Sequence, residues 1–231
     1  MNTKLLTTLA LLSALSGCGG GDSTPPAPAP VPAPSPAPVA TPTRLGYTDP
    51  TSSGWRLVKD AASTPTRLVL DLVGPAGTPT RGVGFNLKRG MGLAFGKFDN
   101  GGYAHDMGVY QLKGTNSNFE SYAGTDADPV LFVSAPLKSG DVLSTGIFQK
   151  DRSNGAKDSG APLVQVVVTL ADFTKVDPAA VAAAADPYGL HVTKARIIPA
   201  DIGGFNLTTE VLKKARMVDV TVDTGTITAT P

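Results

Sequence analysis

Seven residues, RLVLDLV at Arg67 to Val73, put Leu68, Leu70 and Leu72 on one side of an extended chain and Val69, Asp71 and Val73 on the other, and Gly74-Pro75 then stops the run. This period-two alternation is that of a half-buried strand. It returns down the chain. GVGFNLK at Gly82 to Lys88 alternates Val83, Phe85 and Leu87 with small or polar residues. LAFGKF at Leu93 to Phe98 runs into Asp99-Asn100-Gly101-Gly102, residues that tolerate positive φ and suit a hairpin turn. Another strand is predicted near Val109 to Leu112. VLFVSA at Val130 to Ala135, DVLSTGIFQK at Asp141 to Lys150 and PLVQVVVTL at Pro162 to Leu170 follow, the last nearly continuous and so expected in the middle of a sheet. HVTKARIIP and MVDVTVDTGTITAT supply closing strands. The intervening DRSNGAKDSGA, dense in Ser, Asn, Gly and Asp, reads as an exposed loop.

Roughly nine strands with turns at regular spacing predict an all-β fold, a β-sandwich of jelly-roll type. One or two short helices interrupt it. In DPAAVAAAADP, Asp177 is placed to cap, Pro178 fits the first helical position and Asp186-Pro187 ends the run. Leu207, Val211, Leu212 and Ala215 suggest a second helix over Asn206 to Met217. Charged residues make up only 17% of the chain, against 26 glycines and 20 prolines, a balance that suits strands and turns. Lys+Arg number 20 and Asp+Glu 19, so nucleic acid is excluded as a partner on electrostatic grounds.

The first fifth of the chain belongs to no core. Lys4 gives a positive start, Leu5 to Leu15 an apolar run too short to span a bilayer, and Ser16-Gly17 small residues before Cys18, which together read as a secretory signal. Cys18 is the only cysteine, so an internal disulfide is excluded. Leu15-Ser16-Gly17-Cys18 resembles the lipobox of bacterial lipoproteins. That resemblance implies removal of residues 1–17, acylation of Cys18 on its thiol and its new amino terminus, and, because Gly19 is not acidic, an outer-membrane address in the cell envelope. Several acyl chains on one residue make a lasting anchor where one chain does not. Thr24 to Thr43, TPPAPAPVPAPSPAPVATPT, then favours extended polyproline II at ~3.1 Å per residue, a semi-rigid spacer reaching up to ~60 Å. The expected organisation is signal peptide 1–17, acylated Cys18 and Pro/Ala-rich linker 18–44, and β-sandwich 45–231.

The order LVLDLV, TRGVGFNLK, SGDVLSTGIFQ, PLVQVVVTL resembles that of cohesin and carbohydrate-binding-module sandwiches, in which an early G-x-x-F-x-L strand precedes long central strands. Gly82, Phe85 and Leu87 match those places. The helix at Asp177 and the segment after Phe205 depart from that pattern, and the chain carries no dockerin-type segment.

Catalytic machinery is hard to assemble. There are two histidines, no G-x-S-x-G elbow and a cysteine outside the domain. Only Glu120 and Glu210 offer glutamate carboxylates, so a glycosidase pair would need buried aspartates. His105-Asp106 is weighed as half of a catalytic or metal pair against an ordinary surface histidine. Asp151, Ser153 and Asp158 in DRSNGAKD stand at alternating positions as in a calcium loop, though glycine falls one place early and the closing glutamate is missing. No other cofactor is expected. Trp55, Tyr103, Tyr110 and Tyr122 are the planes available to stack on a sugar, against the plainer reading that they pack the core. The expectation is a non-enzymatic lipoprotein displaying a binding module for an envelope protein or assembly, with a carbohydrate-binding module as the alternative.

Overall fold

The computed structural model describes residues 40–107, 121–125, 128–149, 156–200 and 217–231, with the backbone alone for 121–125 and 128–131. The chain separates into Met1–Ala37 and Pro38–Pro231, and every described residue lies in the second unit. The strand expected near Val109 to Leu112 lies outside the described residues, as does the helix expected over Asn206 to Met217 except for its last residue.

Two mixed-length sheets share one core. The larger runs β13 (Val218–Asp219), β12 (Leu190–Pro199), β4 (Pro79–Arg89), β9 (Val142–Gln149), β8 (Asp128–Pro136), β7 (Ser121–Thr125), with β10 (Lys157–Asp158) also beside β4. The smaller runs β14 (Val222–Asp223), β2 (Trp55–Lys59), β3 (Arg67–Val73), β11 (Val164–Leu170), β5 (Leu93–Phe95), with β6 (Ala104–Asp106) also on β11. Pairing is antiparallel except for β14 on β2. Leu57, Leu68, Leu70, Leu72, Val166 and Val168 from the smaller sheet join Val83, Phe85, Leu87, Phe132, Leu143 and Ile147 from the larger in a single buried cluster. That shared cluster makes the fold an all-β sandwich, as the alternating runs predict.

A third, two-stranded unit pairs β1 (Arg44–Thr48) with β15 (Thr226–Thr230), and the Thr43 amide donates to the Thr230 carbonyl at 2.8 Å. Tyr47 ties this pair to the smaller sheet. Its hydroxyl donates to the Leu57 carbonyl at 2.9 Å and accepts from the Gly225 amide at 2.8 Å. The predicted helix is present as α1 (Pro178–Ala183), with Asp177 Oδ1 accepting from the Ala179 amide at 2.9 Å and Pro178 in the first turn.

Three local expectations are corrected. Asp99 to Gly102 does form a tight turn, with Gly101 at φ 82° and its amide bonded to the Phe98 carbonyl at 2.8 Å. It does not make a hairpin, because β5 and β6 both pair with β11 and not with each other: the loop is an excursion from one edge. MVDVTVDTGTITAT is three short strands, β13, β14 and β15, one in each of three sheets. The end of DRSNGAKDSGA is exposed at Asp158, Gly160 and Ala161 but is not loop throughout: Lys157 and Asp158 form a short strand against Thr80 and Pro79, and Ser159 is fully buried with its hydroxyl donating to the Pro75 carbonyl at 2.7 Å.

Candidate functional site

On β4 and β9 the large apolar side chains alternate inward, Val83, Phe85 and Leu87 on one strand, Leu143 and Ile147 on the other. The intervening positions therefore face outward, and several of them are glycine. Gly84 pairs with Gly146, Gly82 with Phe148 and Asn86 with Ser144. The Phe148 ring lies across the glycines. A Cβ added to Gly84 would sit 2.9 Å from Phe148 Cζ, and one added to Gly146 would sit 2.7 Å from Cε2. Glycine in a strand interior weakens it but permits such close approach. The result is a groove of about 250 Å³ floored by backbone and by a half-buried aromatic ring.

Val133 and Met217 extend the apolar lining, and Asn86, Ser144, Lys194 and Arg196 form the polar part. Arg196 Nε donates to Asp219 Oδ1 at 2.7 Å, so its charge is balanced on the face itself. Lys194 is exposed and makes no ion pair among the described residues. In register, one row crosses five strands: Tyr122, Leu131, Phe148, Gly82, Ile198. No carboxylate or imidazole lines the groove among the described residues. The lining offers apolar contact, hydrogen bonds and positive charge, and lacks the acid–base pair that hydrolysis needs.

The residues singled out from sequence are dispersed. Trp55 is 6% exposed and belongs to the core cluster, so its ring is a packing element of β2 and not a stacking plane. Tyr103 packs partly against the core, with Lys97 Nζ 5.0 Å from its ring centroid. Tyr122 is on β7, with only its backbone described. Cys18, Tyr110, Asp151 and Ser153 lie outside the described residues. Asp158 spends its Oδ1 on the backbone, accepting from Gly77 at 2.9 Å and Gly160 at 3.0 Å, which fixes two loops together. His105 is exposed while Asp106 is buried, and neighbours on a strand point to opposite faces, so the two do not act as a pair. His191 instead meets Asp186, Nε2 to Oδ2 2.9 Å, on the surface. Among the described residues no group of three or more His, Cys, Asp or Glu is placed to hold a metal ion.

The glycine-floored groove was not foreseen. Its signal was present in RGVGFNLK and STGIF, where the outward positions of two alternating strands carry glycine, but the pairing of Gly84 with Gly146 appears only in the sheet.

No family model matches the chain, and no curated protein does. Among solved structures it is similar to a type II cohesin domain from the cellulosome of Acetivibrio cellulolyticus, at 12% identity, covering 77% of this chain and 94% of that one, with a TM-score of 0.34.

Proposed function

We propose that this chain is a lipid-anchored, non-catalytic binding module of the bacterial cell envelope, acylated at Cys18, carried on its Pro/Ala-rich linker from the outer membrane, and engaging an envelope protein through the outer face of the larger sheet. The observation that carries the reading is the groove: an apolar depression backed by a rigid sheet, with Lys194 and Arg196 at its side and no catalytic group in its lining. A central apolar anchor site beside polar groups is how protein interfaces concentrate their binding energy. Stacking on a neutral sugar has lost its best plane, since the single tryptophan is in the core.

A photo-crosslinking amino acid at Ser144, in the full-length chain expressed in its membrane, is expected to capture one discrete envelope protein. The same probe at Lys175, whose ammonium is held by Asp172 at 2.7 Å, serves as control. Lys194→Glu is expected to reduce the Ser144 adduct at least about tenfold, the scale of reversing one interfacial charge. Equal labelling at the two positions would refute the groove as a docking face.

A further inference from the structure

We propose that the loop between β5 and β6, together with Arg67, is a second binding site, independent of the groove, for a carboxylate-bearing polysaccharide, one built from uronic acid residues. After β5 the chain leaves the edge of the smaller sheet at Gly96 and returns at Ala104, and within this excursion two rings hold three basic side chains. Arg67 Cζ lies 5.4 Å from the centroid of the Phe98 ring, and the His105 ring lies 5.5 Å from it, tilted by 35°. Lys97 Nζ lies 5.0 Å from the centroid of Tyr103.

The rings are fixed by packing. Arg67 stands opposite Thr169 and His105 opposite Gln165, and the row between them holds Val69 opposite Val167. A ring that touches both Arg67 and His105 therefore sits over that valine row. Val69 and Val167 are buried, although they point away from the core between the sheets. Tyr103 is packed partly against that core.

The three basic groups have no carboxylate partner within ion-pair distance among the described residues, whereas Lys175, His191 and Arg196 each have one. The only acidic residue of the loop is Asp99, at its exposed tip. A ring holds an arginine through its charge and leaves N–H donors of the guanidinium fork for a planar carboxylate. Cations already held by rings lose less freedom when an anion arrives. The arrangement fits a repeating polyanion better than a membrane surface. Two charges, Arg67 and Lys97, are few for lipid binding, and the exposed large apolar side chains among the described residues, Met91, Met107, Leu137 and Val218, are not among the residues of the cluster.

The test uses the full-length chain in detergent, with oligogalacturonate as probe and a cello-oligosaccharide of equal length as neutral control, read by calorimetry. Saturable binding of oligogalacturonate that weakens with added salt is expected, with none to the neutral sugar. Lys97→Gln, at an exposed position, is expected to weaken it roughly threefold, and Arg67→Gln about tenfold, with the melting temperature checked for the latter. Lys175→Gln and Lys194→Glu are expected to leave it unchanged, which separates this site from the groove. No binding, equal binding of the neutral sugar, or unchanged affinity in both Lys97→Gln and Arg67→Gln would overturn the proposal. So would failure to bind oligogalacturonate alongside a preference for phosphatidylglycerol over phosphatidylcholine vesicles that Lys97→Gln abolishes.

Discussion

Asp71 is the residue whose environment and chemistry agree least. It sits mid-strand on β3, 5% exposed, opposite Gln165 and Val58, and its Oδ1 has no hydrogen-bond partner among the described residues. Burial raises its pKa to about 6; the Gln165 side chain pulls the other way, and the nearby Asp60 carboxyl adds to the rise. A carboxyl that binds its proton more tightly folded than unfolded supports the fold fully below the ordinary aspartate value, and that support is lost as pH rises through about 6. Asp71→Asn, which stays neutral, is therefore expected to stabilise the protein at pH 8 by about 2 kcal/mol and to change little at pH 4, measured as urea midpoints at the two pH values. The aspartate was readable as an outward position of RLVLDLV; its burial was not, because both faces of β3 are covered. Trp55 shows the converse. In WRLVK it alternates with Leu57, and that pattern alone assigns it inward, yet a lone tryptophan also invites a ligand reading that only burial resolves.

At the scale of elements, Tyr47 is the joint between the β1–β15 pair and the smaller sheet. Burial lifts its phenol to about 12, against a smaller opposing effect of the Gly225 amide, so it stays a neutral hydrogen-bonding group across the physiological range. Tyr47→Phe strips a partner from both the Leu57 carbonyl and the Gly225 amide, and is expected to cost about 1–3 kcal/mol by denaturant unfolding. Tyr188→Phe, whose hydroxyl makes no hydrogen bond among the described residues, is expected to cost no more than about 0.5 kcal/mol. Strands with long apolar runs, such as β3 and β11, were legible because burial writes itself into side-chain periodicity. β1 and β10 were not, since two to five residues of mixed polarity owe their conformation to the partner strand. The same cause hid the divided edge of β5 and β6: a turn signal reports a change of direction, and says nothing about which strand receives the chain afterwards.

For the whole molecule, the two proposed binding surfaces draw on different parts of the sandwich: the groove on β4 and β9, the basic cluster on β3 and the edge beside β11. Both would be presented at the membrane only if Cys18 carries lipid. Cys18→Ser is expected to move the protein from the detergent-released membrane fraction to the soluble fraction, seen by immunoblot of fractionated cells, and an unchanged distribution would count against acylation. The seam at Thr43 and Thr230 bears on how such a protein is mounted. That hydrogen bond sets the first strand of the described fold beside the last, so a break made elsewhere in the sheet could stand in for the one at this seam. A short bridge across that seam, with a new opening cut in the exposed turn at Lys138-Ser139, would hang the same sandwich from the β8–β9 turn instead.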